Sequence, residues 1–176
     1  MPRIVPGVLD SQTCAELIGR FASGGAVASG IEEVGSGDEA EIVRDEYKRR
    51  RDLVVEDAEG QQRLANALAR KLFPAIAKDF GVRCTRFEGF KISEYPEGGF
   101  YRAHRDNVSE STAHRRVSVT LNLNDAVEGG ALRCPDEGPE PWRAPAGGAI
   151  CFRSDALHEV LPVTSGVRYV LITFCF

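Results

Sequence analysis

His104 and Asp106 stand two residues apart in Tyr101-Arg102-Ala103-His104-Arg105-Asp106-Asn107. Residues i and i+2 of an extended strand project from one face, so an imidazole and a carboxylate here can reach a single metal ion. An H-x-D triplet alone is common by chance. The chain has only three histidines, at 104, 114 and 158, and His158 opens another strand-like stretch, His158-Glu159-Val160. Two histidines and one carboxylate form a facial set that leaves three cis positions open on the metal. A bidentate 2-oxo acid can fill two of these and dioxygen the third. Mn or Zn would suit the ligands as well as Fe(II), so the donor set alone leaves the metal open.

Arg168 follows at the head of the apolar run Tyr169-Val170-Leu171-Ile172-Thr173-Phe174. A guanidinium entering such a strand needs a partner, because an unpaired buried charge is costly. Two readings stay open on this residue alone. It is either a bidentate clamp on a ligand carboxylate or half of a structural salt bridge.

Two kinds of element must hold these groups. Cys14, Leu17, Ile18 and Phe21 share one face of a predicted helix from about Ser11 to Ala22, with Asp10 or Ser11 as its N-cap. Leu64, Leu68, Leu72, Ile76 and Phe80 recur every four residues, which predicts a second helix over about 59–80. Pro74 should bend or split it, and Gly81 should end it. From Val82 onward the period changes to two. Expected strands are Arg86–Tyr95, Phe100–Arg105, Val117–Asn124, Ala131–Cys134, Ala149–Arg153, His158–Val163 and Arg168–Phe176. In Val117–Asn124 the apolar Val117, Val119, Leu121 and Leu123 alternate with Ser118, Thr120, Asn122 and Asn124. One face of that strand should meet the helices and the other should line a pocket. The pattern predicts an α+β protein, a curled antiparallel sheet backed by helices.

At 176 residues the chain suits a single domain, with helical support over about 10–80 and a β-core over about 82–176. The net charge of −4 argues against a general nucleic-acid or anionic-membrane binder. No stretch approaches a membrane span and the opening residues lack a signal-peptide run, so the expected location is cytoplasmic. Cysteines at 14, 84, 134, 151 and 175 form no CxxC pair and read as small buried thiols.

Taken together, residues from about Phe90 to Phe176 resemble the prolyl-4-hydroxylase-like branch of the 2-oxoglutarate/Fe(II) dioxygenases. The resemblance rests on Tyr95-Pro96-Glu97-Gly98-Gly99 leading into the H-x-D segment, then Leu121-Asn122-Leu123-Asn124 with Glu128-Gly129-Gly130-Ala131-Leu132. It is completed by Gly148-Ala149-Ile150-Cys151-Phe152, His158-Glu159-Val160-Leu161-Pro162-Val163 and Gly166-Val167-Arg168-Tyr169. It implies a double-stranded β-helix (jelly-roll) core with helices packed on one sheet. It also implies Fe(II) held by His104, Asp106 and His158, and Arg168 on the 5-carboxylate of 2-oxoglutarate. Tyr95 and Tyr101 would line the cosubstrate pocket, with Leu132 packed on the cosubstrate. One position departs from the pattern. Asn122 stands where the oxygen-sensing members carry a second tyrosine, so Asn122 or Thr120 is left to supply that hydrogen bond. The implied reaction is hydroxylation of an unactivated C–H bond with O2, 2-oxoglutarate being decarboxylated to succinate. The substrate would be a protein or peptide, or alternatively a free amino acid or other small molecule.

Residues from about Gly35 to Asp52 occupy the family's lid position, which makes Arg44, Tyr47, Arg49, Arg50 and Arg51 candidates to meet an anionic substrate. A solvated charge run is the plainer reading of each. His114 reads as a surface residue, and Trp142 as a pocket wall or a core aromatic. A nucleic-acid demethylase of the AlkB type would carry a second arginine at 174, where this chain has Phe. A non-catalytic binding barrel would be expected to lack a ligand, and all three are present.

Overall fold

The computed structural model describes residues 1–32, 41–42, 46–125 and 127–176. Helix α1 (Ser11–Ser23) is capped by Asp10, whose Oδ1 accepts a 2.7 Å bond from the Thr13 N–H. Helix α2 (Ala58–Phe80) starts at Asp57, whose Oδ1 accepts from the Gly60 N–H at 2.6 Å, and ends at Gly81 with φ 66°. These caps satisfy backbone groups that the helix ends leave unpaired. Pro74 lies inside α2 without breaking it. The position is exposed, as is Arg70 one turn earlier, so the carbonyl deprived of its N–H partner can turn to water.

The strands in chain order are β1 (Arg3–Val5), β2 (Val27–Ala28), β3 (Ile31–Glu32), β4 (Glu41–Ile42), β5 (Lys48–Arg49) and β6 (Arg51–Val54). After α2 come β7 (Lys91–Tyr95), β8 (Phe100–His104), β9 (Val117–Asn122), β10 (Val127–Gly129) and β11 (Leu132–Arg133). The last four are β12 (Ala149–Arg153), β13 (His158–Val160), β14 (Val163–Gly166) and β15 (Arg168–Cys175). The larger sheet has the order β1-β12-β9-β15-β7-β6-β2, and the smaller β11-β13-β8-β5, with β10-β14 and β3-β4 as two-stranded ladders.

Two expected strands are interrupted inside their apolar patterns. Arg86–Tyr95 pairs continuously only from Lys91, because Gly89 takes φ 68°, leaving Phe87 in an isolated bridge to Cys175. His158–Val163 divides at Leu161 and Pro162, since proline has no N–H for a ladder. The end of the Gly35–Asp52 stretch, expected as a lid or a solvated charge run, instead supplies β5 and the start of β6, one strand in each sheet.

Alternation in the larger sheet separates two cores. Val117, Val119, Leu121, Cys151, Ile92 and Leu171 meet Leu17 and Phe21 of α1 and Leu68, Leu72 and Ile76 of α2. Tyr95, Ile150, Phe152 and Val170 face inward against Leu132 and Val160 of the smaller sheet. Two antiparallel sheets face each other, and helices cover the outside of the larger one. This is the α+β jelly-roll arrangement, and the sheet order leaves the polar side chains of β9 pointing between the sheets. All five cysteines are buried and free. Among the described residues, no helix is long and apolar enough to cross a membrane.

Candidate active site

β8 and β13 are neighbours, and their register sets His158 directly opposite His104. Each ring is fixed by its own backbone. His104 Nδ1 lies 2.8 Å from the Arg102 carbonyl, and His158 Nδ1 lies 3.0 Å from that of Ala156. A carbonyl only accepts, so in both rings Nδ1 carries the hydrogen and Nε2 presents a lone pair. Those lone pairs converge on one carboxylate. His104 Nε2 is 3.4 Å from Asp106 Oδ1, and His158 Nε2 is 3.3 Å from Asp106 Oδ2. One ligand atom from each residue lies within 4.8 Å of the others. Acceptors facing one another at this distance are stable around a cation, and nitrogen with oxygen donors suits a first-row divalent metal.

Asp106 is held from behind. Ser118 Oγ donates to Oδ2 at 2.6 Å, and the Arg115 guanidinium donates to the Asp106 carbonyl at 2.9 Å. Burial alone would raise its carboxyl pKa, but His158, His104 and Ser118 outweigh that and hold it below the ordinary range. Burial holds the His158 imidazole below its ordinary value, which keeps it neutral for ligation.

A cavity of about 570 Å³ opens over these three side chains, lined by Tyr95, Tyr101, Thr120, Leu132, Phe152 and Ile172 among others. Tyr101 stacks on His104, with centroids 3.6 Å apart at 23°. Thr120 lies between Ile150 and Ile172 in register, on the inward face of β9. Arg168 sits behind the lining, 2% exposed and opposite Tyr95. Its Nη2 donates to Asn122 Oδ1 at 3.0 Å, while its Nη1 is buried with no partner. Burial pushes the guanidinium pKa down to about 10. An unmet buried donor costs about 1–3 kcal/mol, more when charged. Asn122 is engaged at both ends of its amide, since its Nδ2 donates to the Ala144 carbonyl at 2.6 Å. It therefore orients Arg168. The turn before Leu132 is built on Gly129 and Gly130, with φ 70° and 65°. A Cβ at 129 would stand 2.3 Å from the Pro162 carbonyl, and one at 130 would stand 3.0 Å from Arg168 Cδ.

The structure divides the remaining candidates. Tyr47 and Arg50 line the cavity. Arg51 turns away to Glu94 at 2.7 Å, and Arg49 lies beside Gly98. Residues 33–40 and 43–45 of the expected lid, Arg44 among them, lie outside the described residues. His114 pairs with Glu88 at 2.7 Å, apart from the metal ligands. Trp142 backs the wall, exchanging backbone bonds with Leu132. Phe174 lies under Arg115, whose guanidinium carbon is 3.9 Å from the ring centroid. Sequence reasoning took Arg50 for a substrate-facing or solvated cation, and it gave Asp52 no role. In the structure the two make a buried pair beside the cavity. The alternation of Arg50 and Asp52 leading into Leu53-Val54-Val55 was the available signal.

Residues 90–176 match the model of the 2OG-Fe(II) oxygenase superfamily. Similar proteins include PKHD-type hydroxylases of Synechococcus sp. CC9605, 29% identical over 78% of this chain, and of Synechococcus sp. CC9902, 38% identical over 62%. Another, of Colwellia psychrerythraea, is 41% identical over 48%. The chain spans 61%, 50% and 41% of the lengths of these three relatives. Among solved structures, a prolyl hydroxylase of Trichoplax adhaerens bound to a hypoxia-inducible-factor peptide shares the fold with TM-score 0.74 at 18% identity. The match covers 99% of this chain and 83% of that one. A collagen prolyl hydroxylase of Paramecium bursaria Chlorella virus-1 aligns with TM-score 0.71 at 17% identity, over 99% and 94% of the two chains. With a convergent His-Asp-His set inside this barrel, the chain is similar to the 2OG-Fe(II) oxygenase superfamily over residues 90–176 and shares its fold with the two prolyl hydroxylases above.

Proposed function

We propose that this chain hydroxylates an unactivated C–H bond. Iron(II), 2-oxoglutarate and dioxygen together supply the oxidising power, with succinate and carbon dioxide as coproducts. His104, Asp106 and His158 hold the metal. Arg168 pairs with the distal carboxylate of 2-oxoglutarate, oriented by Asn122. Tyr95, Tyr101 and Thr120 line the cosubstrate pocket, and Leu132 packs on its carbon chain. The observation that carries this reading is the convergence of two Nε2 lone pairs on the Asp106 carboxylate at 3.3–3.4 Å. The partnerless Nη1 of Arg168 adds independent support.

A peptide is the first substrate class to test. Tyr47 and Val108 stand at the cavity rim with 42% and 61% of their surface exposed, an apolar margin suited to flanking residues. The Trichoplax relative is a prolyl hydroxylase with a bound peptide. The decisive experiment is anaerobic addition of Fe(II) and then 2-oxoglutarate to metal-free protein. The expected result is a weak visible charge-transfer band, absent in His104→Ala. No band at saturating cosubstrate, with no retained iron, refutes the oxygenase reading. Succinate release with a proline-containing peptide, set against free proline, then separates peptide from small-molecule hydroxylation.

A further inference from the structure

Arg50 and Asp52 belong to a charged run, yet their side chains are only 8% and 6% exposed. Asp52 lies opposite Ser93 in the β6–β7 ladder. It accepts from Ser93 Oγ at 2.7 Å and from Ser29 Oγ at 2.5 Å, and Lys91 Nζ stands 3.7 Å away. Arg50 pairs with the same carboxylate: Nη2 donates to Oδ2 at 3.0 Å, and Nε stands 3.0 Å from Oδ1 without a hydrogen bond to it. Its remaining Nη1 donates to the Tyr95 hydroxyl at 2.8 Å. The guanidinium also lies over two rings, 5.6 Å from Tyr95 and 5.4 Å from Tyr101.

A buried ion pair does little more than recover its own desolvation, so stability alone is a weak reason to gather these groups. What they determine is the direction of one hydrogen. A phenol has one O–H and accepts through its lone pairs. Arg50 takes the acceptor role of Tyr95, and among the described residues nothing accepts the Tyr95 hydrogen. That hydrogen is left for a ligand in the cavity that Tyr95 lines. The neighbouring guanidinium also polarises the O–H and strengthens it as a donor.

We propose that Asp52 and Arg50 are positioning residues that hold the Tyr95 hydroxyl as a donor to a carboxylate of 2-oxoglutarate. The inference rests on the cosubstrate reading above. It makes the strand leading out of the lid part of the cosubstrate site, through Tyr95 and without direct contact.

The test is the affinity of the Mn(II)-loaded full chain for 2-oxoglutarate by calorimetry, for the unaltered protein, Arg50→Lys, Tyr95→Phe and the double variant. Mn(II) affinity and melting temperature are measured alongside. Lysine keeps a cation beside Asp52 but cannot also reach Tyr95. Arg50→Lys is expected to weaken 2-oxoglutarate binding about tenfold, as loss of one hydrogen bond to a charged group would. Mn(II) affinity should not move. The double variant should bind no worse than Tyr95→Phe alone, because Arg50 acts through that hydroxyl. Should Arg50→Lys fail to fold, Arg50→Gln with Asp52→Asn removes both charges together and must show the same loss. Unchanged affinity, or single effects that simply add, overturns the proposal. A parent chain that holds Mn(II) but binds no 2-oxoglutarate overturns the cosubstrate reading and this inference with it.

Discussion

At the residue scale, the proposed roles divide the site into groups that would meet the metal and groups that would meet the cosubstrate, and substitutions should separate them. Asp106→Asn keeps the side-chain shape but removes the charge on which both Nε2 atoms converge. Its metal affinity should fall by about 10²-fold or more, measured with Mn(II), since loss of even an outer-shell partner costs about 10–100-fold. An unaltered metal affinity would exclude Asp106 as a ligand. Arg168→Met should retain the metal but weaken 2-oxoglutarate binding by about 10²-fold, as expected when one member of a buried charge pair is lost. Equal binding would make Arg168 a structural cation held by Asn122. The convergence of His104, Asp106 and His158 was legible in the sequence because histidine is scarce here and their spacing matches strand geometry. Arg168 was half legible, since its burial followed from the strand but its partner did not. Arg50 and Asp52 were hidden by composition. A run of charges reads as solvated, and only the fold shows that alternate members turn inward to Tyr95 and Ser93.

At the element scale, the helices and the alternating face of β9 followed from sequence pattern, because period and capping chemistry are local. Strand ends were less legible. Gly89 and Pro162 interrupt ladders inside apolar runs, and whether such a residue meets a partner strand is a tertiary matter. Pro74 does not split α2, for a related reason. Its effect depends on whether the orphaned carbonyl of the preceding turn reaches water, and here that turn is exposed. The helix still bears a cost, so Pro74→Ala should stabilise the protein, by up to about 3 kcal/mol on the host–guest scale. A shift of the urea midpoint to higher concentration is the expected result. A lower midpoint would mean that the proline ring packs against something essential.

For the whole molecule, the buried carboxylates set the response to acid. Burial alone would raise the Asp52 pKa, but Arg50, Lys91, Ser29 and Ser93 outweigh that and hold it below the ordinary range. Glu88, only partly buried, is likewise held down against its desolvation, by Arg115 and His114. A carboxylate whose folded pKa is depressed adds stability that is complete above its unfolded value, about 4. That stability is lost as pH falls through the folded value, because the unfolded chain then binds more protons. Urea midpoints should therefore drop below about pH 4, and a midpoint that rises on acidification would reverse the assignment. The sheet order has a further consequence, for the assembly of the chain. β15, the most C-terminal strand, lies at the centre of the larger sheet, between β9 and β7. Until it arrives, β1-β12-β9 and β7-β6-β2 are two separate half-sheets, each with an open inner edge. Folding is thus dominated by contacts between distant residues, which are slow to form, and a nascent chain must keep those edges from associating while it waits. The strand that joins the halves also carries Arg168, so closing the barrel and burying that guanidinium are one event.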